Sequence, residues 1–146
     1  MDILEKIKEM DCFLKNVTAR RSDDSGSPVR RVEMKRDVSH TLDLPKKTSD
    51  QFVISVVDRI SFIPNHGPFQ IEVEIGATVT LNEALRPREI ARLLDNRKNL
   101  LSLINQCLPY SSTLIAQITD QMGFSPVIFT PRIGTGPSAG LQGALS

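Results

Sequence analysis

The side chains best suited to catalysis or metal binding are few in this sequence and lie far apart. His40 falls on the apolar side of a predicted strand, and His66 falls in a turn. No HExxH or CxxC spacing brings ligands together, and no glycines have a phosphate-binding spacing, so we expect no metal and no cofactor. Ser111 and Ser112 lie in a predicted helix with no histidine nearby in sequence, so no activated nucleophile is indicated. The sequence therefore predicts a protein that is not an enzyme.

The two cysteines, Cys12 and Cys107, each stand among apolar residues. Cysteine packs as a small apolar side chain, which favours two reduced residues in the core. A disulfide or another redox role is the alternative that the sequence leaves open.

Basic residues cluster around a polar loop at residues 22–28. They are the pairs Arg20–Arg21 and Arg30–Arg31, followed by Lys35 and Arg36. They could form a patch for an acidic partner or nucleic acid, or the solvated rim of the loop, because acidic neighbours offset their charge. Nucleic-acid surfaces usually add exposed aromatic side chains for stacking, and this chain has no tryptophan and one tyrosine. Since the net charge is only +1, we expect no nucleic-acid partner.

Length and composition indicate one globular domain. The chain has 146 residues, of which 40% are hydrophobic and 24% charged, and we assign residues 1–133 to a single domain. No apolar run reaches the roughly 18–20 residues that span a bilayer. The N-terminus shows no secretion signal, so we expect a cytoplasmic protein. Residues 134–146 contain four glycines and no charge, and we expect this tail to be disordered.

The first half of the chain is typical of strands. Residues 3–10 place Ile3, Leu4, Ile7 and Met10 at helical spacing, which predicts a short opening helix. Strands follow over residues 12–21, 32–44, 50–63 and 69–82, and alternation is clearest in the last of these. Three polar residues interrupt the apolar faces, namely Arg36 and His40 in the second strand and Asp58 in the third.

Beyond residue 86 the apolar spacing changes from two to 3.6. Pro87 is near a helix start, Pro109 lies inside the long apolar pattern, and Gly123 is a plausible stop. Strands followed by helices indicate an α+β fold, and we expect a four-stranded antiparallel meander sheet with a long C-terminal helix packed on one face.

The long helix also carries a near-heptad line of mostly apolar residues. We interpret this line as the interface of a helix-mediated homo-oligomer, and a larger core within one chain is the alternative. Its members are Leu100, Ile104, Cys107, Ser111, Leu114 and Ile118.

The stretch "LINQCLPYSSTLIAQITDQMGFSPVIFTPRI", residues 103–133, resembles the SecB export-chaperone family. The matching points are Pro109–Tyr110, a helix of about a dozen residues, Gly123–Phe124 and a proline-broken apolar segment that ends at Pro131. The strand "FQIEVEIGATVTL" and the order of four strands before a helix also fit, over roughly residues 11–133.

The resemblance implies an ATP-independent holdase that binds unfolded polypeptides in apolar grooves, with protein export as one role. It also implies a dimer of dimers. The residues that it assigns to peptide binding are Phe124, Val127, Ile128, Phe129 and Ile133.

The chain departs from the family in two respects. A glycine-rich tail stands where the family has a second helix that covers the groove, and the net charge of +1 contrasts with the acidic family members. A SecA-type motor as partner is therefore an open question. An antitoxin-dedicated chaperone, and a structural oligomer with the same fold, are the alternative functions.

Overall fold

The computed structural model describes residues 2–22, 33–63, 67–128 and 142–144. A short 3-10 helix at Ile3–Glu5 comes first, and the helices α1 (Pro87–Asp95) and α2 (Arg97–Gln121) follow the fourth strand. The strands are β1 (Ile7–Arg21), β2 (Glu33–Asp43), β3 (Ser49–Ile63), β4 (Phe69–Leu85) and β5 (Gln142–Ala144). The predicted α+β class is confirmed. Among the described residues, no helix is both long and apolar enough to cross a membrane.

The strand order in the sheet is β1-β4-β3-β2-β5, and every neighbouring pair is antiparallel. The predicted meander is correct for β2, β3 and β4 but wrong for β1, which pairs with β4 instead of β2. This is a Greek-key order. In this order β4 has a neighbouring strand on each side, β1 and β3. One face of β4 is buried along its length, and Val73, Ala77 and Val79 on that face are fully inaccessible to solvent.

A short part of the predicted tail belongs to the sheet. β5 pairs with Lys35, Arg36 and Asp37 of β2. The other residues of 134–146 lie outside the described ranges, so the disorder of the tail stays a prediction.

The predicted opening helix is wrong beyond its first turn. Ile7 and Met10 belong to β1, where they pair with Leu81 and Val79 of β4. A register shift between Ile7 and Glu9 puts both side chains on the core face although they are three residues apart. A β-bulge therefore produced the spacing that resembled a helix.

The helices cover one face of the sheet. Pro87 occupies the first turn of α1, and the Asn96 side chain caps α2 by accepting hydrogen bonds from the Lys98 and Asn99 amides. Helix α2 continues through Pro109 without a break. Gly123 follows the helix with a φ of 91°, which confirms it as the predicted stop.

Candidate functional site

Helix α2 runs along β1 in the same direction, and three contacts fix this alignment. The Ile3 amide donates to Asn99 Oδ1 (3.1 Å), Cys12 Sγ lies 4.0 Å from the carbonyl oxygen of Gln106, and Arg21 Nη1 donates to the carbonyl of Met122 (2.8 Å). The part of β1 between Cys12 and Arg21 therefore faces the part of α2 between Gln106 and Met122.

Apolar side chains remain open to solvent along this stretch. Leu14 is 52% exposed and Tyr110 is 54% exposed, and Val17 is also exposed. Leu114 and Ile118 are half-buried and pack against the edge of the core. We call this set, Leu14 and Val17 on β1 with Tyr110, Leu114 and Ile118 on α2, the β1–α2 groove.

A second register shift explains why Leu14 and Val17 share one wall of the groove. Leu14 pairs with Ile75 and Val17 with Val73, and a shift occurs between Leu14 and Asn16. Directly paired residues of an antiparallel sheet project to the same face, and both Ile75 and Val73 are buried in the core. Both β1 side chains therefore project to the face that α2 covers, at the edge that α2 leaves open.

The six residues predicted as an oligomer interface separate into two groups. Ile104, Cys107 and Ser111 are buried within the chain itself, because this side of α2 packs on the sheet. Leu100, Leu114 and Ile118 are half-buried, and these three are the members that a partner can reach. The interface itself stays a prediction.

The predicted peptide-binding segment lies at the Arg21 end of the groove. Phe124 is half-buried, with its ring 5.3 Å from that of Phe69 and the Arg21 guanidinium 5.2 Å from its centroid. Val127 is half-buried against the core, whereas Ile128 is 84% exposed. Phe129 and Ile133 lie outside the described residues. The role of all five in peptide binding stays a prediction.

Thr119 holds this segment against α2. Its hydroxyl donates to the carbonyl of Ile115 (2.9 Å) and accepts from the Val127 amide (2.9 Å), and its carbonyl accepts from the Phe124 amide (3.1 Å). Thr119 is fully buried. Its side chain therefore fixes the course of residues 124–127.

Replacing Thr119 by valine should loosen residues 124–127 from α2 without leaving a cavity in the core. The Val127 amide loses its acceptor, and we expect its hydrogen exchange to accelerate by about tenfold, the equivalent of a hydrogen bond worth about 1–1.5 kcal/mol. Thr113→Val is the matched control, because the Thr113 hydroxyl donates to Pro109 on the exposed side of the same helix. Equal exchange at Val127 in wild type and Thr119→Val would show that the hydroxyl does not hold the segment.

A buried ion pair fixes α2 on the sheet. Arg36 of β2 and Asp58 of β3 form two hydrogen bonds, from Nε to Oδ1 (2.9 Å) and from Nη2 to Oδ2 (2.6 Å). Ser111 of α2 donates to the same Oδ2 (2.6 Å), and Ser112 lies 3.5 Å from Arg36 Nη2. All four residues are buried. Arg36 and Asp58, two of the polar residues that interrupt the predicted apolar faces, thus neutralise each other's charge.

The pair corrects the hypothesis of a basic patch. Arg36 is inside the protein, and Arg21 binds the end of α2. Arg30 and Arg31 lie outside the described residues.

Other candidate chemical groups stay apart. His40 is half-buried on β2, where burial lowers the pKa of its imidazole, and His66 lies outside the described residues. In the described part of the chain, no three His, Cys, Asp or Glu residues are grouped so that they could hold a metal ion. A cavity of about 290 Å3 opens at the far end of α2, where Lys6, Leu85 and Asn99 meet α1, and it is separate from the groove.

A solved chaperone structure shares this architecture. No protein-family model and no curated protein matches the chain. The Mycobacterium tuberculosis SecB-like chaperone Rv1957, solved with a ChAD peptide from the Rv1956 HigA1 antitoxin, superposes with a TM-score of 0.63 at 12% identity, over 88% of each chain. A Streptococcus agalactiae protein of unknown function gives a TM-score of 0.49 at 17% identity, over 84% of this chain and 97% of that one. The chain therefore has the fold of a SecB-like chaperone, as the Pro109–Tyr110 and Gly123–Phe124 resemblance predicted.

Proposed function

We propose that this protein is an ATP-independent holdase chaperone that binds non-native polypeptides in the β1–α2 groove and along residues 124–128. The observation that carries the proposal is the row of exposed apolar side chains between β1 and α2, continued by Ile128. Proteins that act alone seldom leave such contiguous apolar surface in water. The similarity in fold to a SecB-like chaperone supports the same function.

The physics of the groove suits unfolded clients. Burial of apolar surface contributes about 25 cal/mol per Å2 without regard to sequence, so leucine, valine and tyrosine side chains can hold many different segments. Such burial requires no nucleotide hydrolysis.

A labile antitoxin segment is the client class that the comparison favours, since the Mycobacterium tuberculosis protein was solved with an antitoxin peptide. A precursor destined for export is the second candidate, with a SecA-type motor as a further partner. Both are cytoplasmic roles.

We also propose that the protein forms a homo-oligomer, and that the complete assembly is a dimer of dimers. The free edge of β1 carries Glu9 and Asp11 near one end and Arg20 near the other, all on the face opposite the core. Antiparallel pairing of two β1 strands would place these carboxylates of each chain near Arg20 of the other. The half-buried Leu100 of α2, which lies outside the β1–α2 groove, would add a helix contact. Light scattering should give a mass of at least two chains, and a monomer at micromolar concentration would reject this part of the proposal.

An aggregation assay tests the chaperone function. A chemically unfolded model protein is diluted into buffer, and its turbidity is followed with and without this protein. We expect a severalfold molar excess to suppress turbidity without nucleotide, and added ATP to change nothing. Unchanged aggregation at that excess would reject the holdase function and leave the structural oligomer as the better account.

A further inference from the structure

The fold brings together two cysteines that are distant in sequence. Cys12 lies on the core face of β1, paired with the buried Ala77. Its Sγ is 4.0 Å from the carbonyl of Gln106, the residue before Cys107. The Cys12 thiol therefore lies beside the Gln106–Cys107 turn of α2. Both are free thiols in this structure.

The two thiols differ in accessibility and acidity. Cys107 is wholly buried, whereas Cys12 is half-buried at the open side of the sheet. Interaction with the neighbouring Cys107 thiol lowers the pKa of Cys12, whereas interaction with Cys12 together with burial raises the pKa of Cys107. Since the thiolate is the reactive form of cysteine, Cys12 is the sulfur that an oxidant attacks first, and Cys107 is the thiol placed to respond.

We propose that Cys12 and Cys107 are an oxidation site, at which a peroxide converts the two thiols into a disulfide that links β1 to α2 beside the groove. The Cys12 thiolate attacks hydrogen peroxide, which gives a sulfenic acid and hydroxide. The Cys107 sulfur then displaces the sulfenic oxygen as water, and its proton is released with it. In total, two thiols and one peroxide give one disulfide and two waters.

The bond would act on the groove, and this consequence rests on the proposed function. Cys12 precedes Leu14 by two residues on the same face of β1, and Cys107 precedes Tyr110 by one turn of α2. A disulfide there fixes the spacing of the two walls at one end of the groove. A client that needs α2 to move away from β1 is then bound more weakly. The disulfide also closes a loop from residue 12 to residue 107, about two thirds of the chain, which restricts the unfolded chain.

Intact-mass measurement tests the disulfide without any client. The full chain is treated with hydrogen peroxide under native conditions and compared with the reduced protein and with Cys12→Ser. We expect the wild type to lose two hydrogens, a cross-linked peptide to contain Cys12 and Cys107, and the midpoint of thermal unfolding to rise by roughly 5–15 °C. In Cys12→Ser, we expect the buried Cys107 to remain a thiol. Oxygen addition at Cys12 without a cross-link, or a disulfide between two chains, would overturn the proposal.

A second readout separates this inference from the chaperone function. Client binding is measured for reduced and oxidised wild type, and we expect oxidation to weaken it by about fivefold or more, with no change in Cys12→Ser. Equal binding by both forms would overturn the coupling to the groove. If the disulfide forms but the reduced protein holds no client, the oxidation site stands and the holdase function fails.

Discussion

Replacing Asp58 by alanine should lower the free energy of unfolding by about 3–5 kcal/mol, the cost of leaving a buried charge without its partner. Arg36 would keep its charge in the core, where only 5% of its surface reaches solvent, and would lose both carboxylate contacts. The Ser111 hydroxyl would also lose its 2.6 Å contact to the carboxylate. Since α2 and two strands meet at this carboxylate, urea denaturation should show a lower midpoint with an unchanged slope.

Two controls distinguish the buried pair from charge in general. Glu72→Ala removes an exposed partner of Arg59 on the other face of the sheet, and such exposed pairs contribute about 1 kcal/mol or less. The double variant Arg36→Met with Asp58→Leu removes both buried charges, and we expect it to recover most of the stability that Asp58→Ala loses. A loss below about 1 kcal/mol for Asp58→Ala would contradict this account of the pair.

A charge placed in the β1–α2 groove should abolish most client binding while the protein remains folded. Leu14→Asp puts a carboxylate in the β1 wall of the groove, so a bound apolar segment would have to desolvate it. We expect the affinity for an unfolded client to fall by about tenfold or more, equivalent to about 1.4 kcal/mol. Because Leu14 is already 52% exposed, the thermal midpoint should change little.

Ile63→Asp is the matched control for that variant. Ile63 is 50% exposed, close to the value for Leu14, but it lies at the end of β3 and outside the groove. The Ile63→Asp variant tests whether replacing any exposed apolar residue by aspartate weakens client binding. Equal loss of client binding in Leu14→Asp and Ile63→Asp would show that the groove has no special role.

Local patterns in the sequence predict the elements well where one face of a regular strand or helix is buried. The alternation of β4 and the stop at Gly123 are examples of such patterns. The start of the chain was mispredicted because a bulge gives Ile7 and Met10 the spacing of a helix. The position of β1 beside β4 depends on a long connection, and no local pattern encodes it.

The candidate site is harder to predict, because its two walls are about a hundred residues apart in sequence. Leu14 and Val17 are ordinary strand residues until the fold sets them opposite Tyr110 and Leu114. The Arg36–Asp58 pair is visible in the sequence, because opposite charges interrupt the apolar faces of two neighbouring strands. Ile104, Cys107 and Ser111 were predicted at an interface but are buried within the chain. Helical spacing alone does not distinguish core residues from interface residues.

Site-specific photo-cross-linking to a bound client is the most direct test of the groove. A photoreactive amino acid is placed at position 14 and, in a separate protein, at position 63, and each is irradiated with a labelled unfolded client in the absence of ATP. The account predicts a strong cross-link from position 14 and little or none from position 63. Equal cross-linking from both positions, or none from position 14 while aggregation is still suppressed, would contradict it.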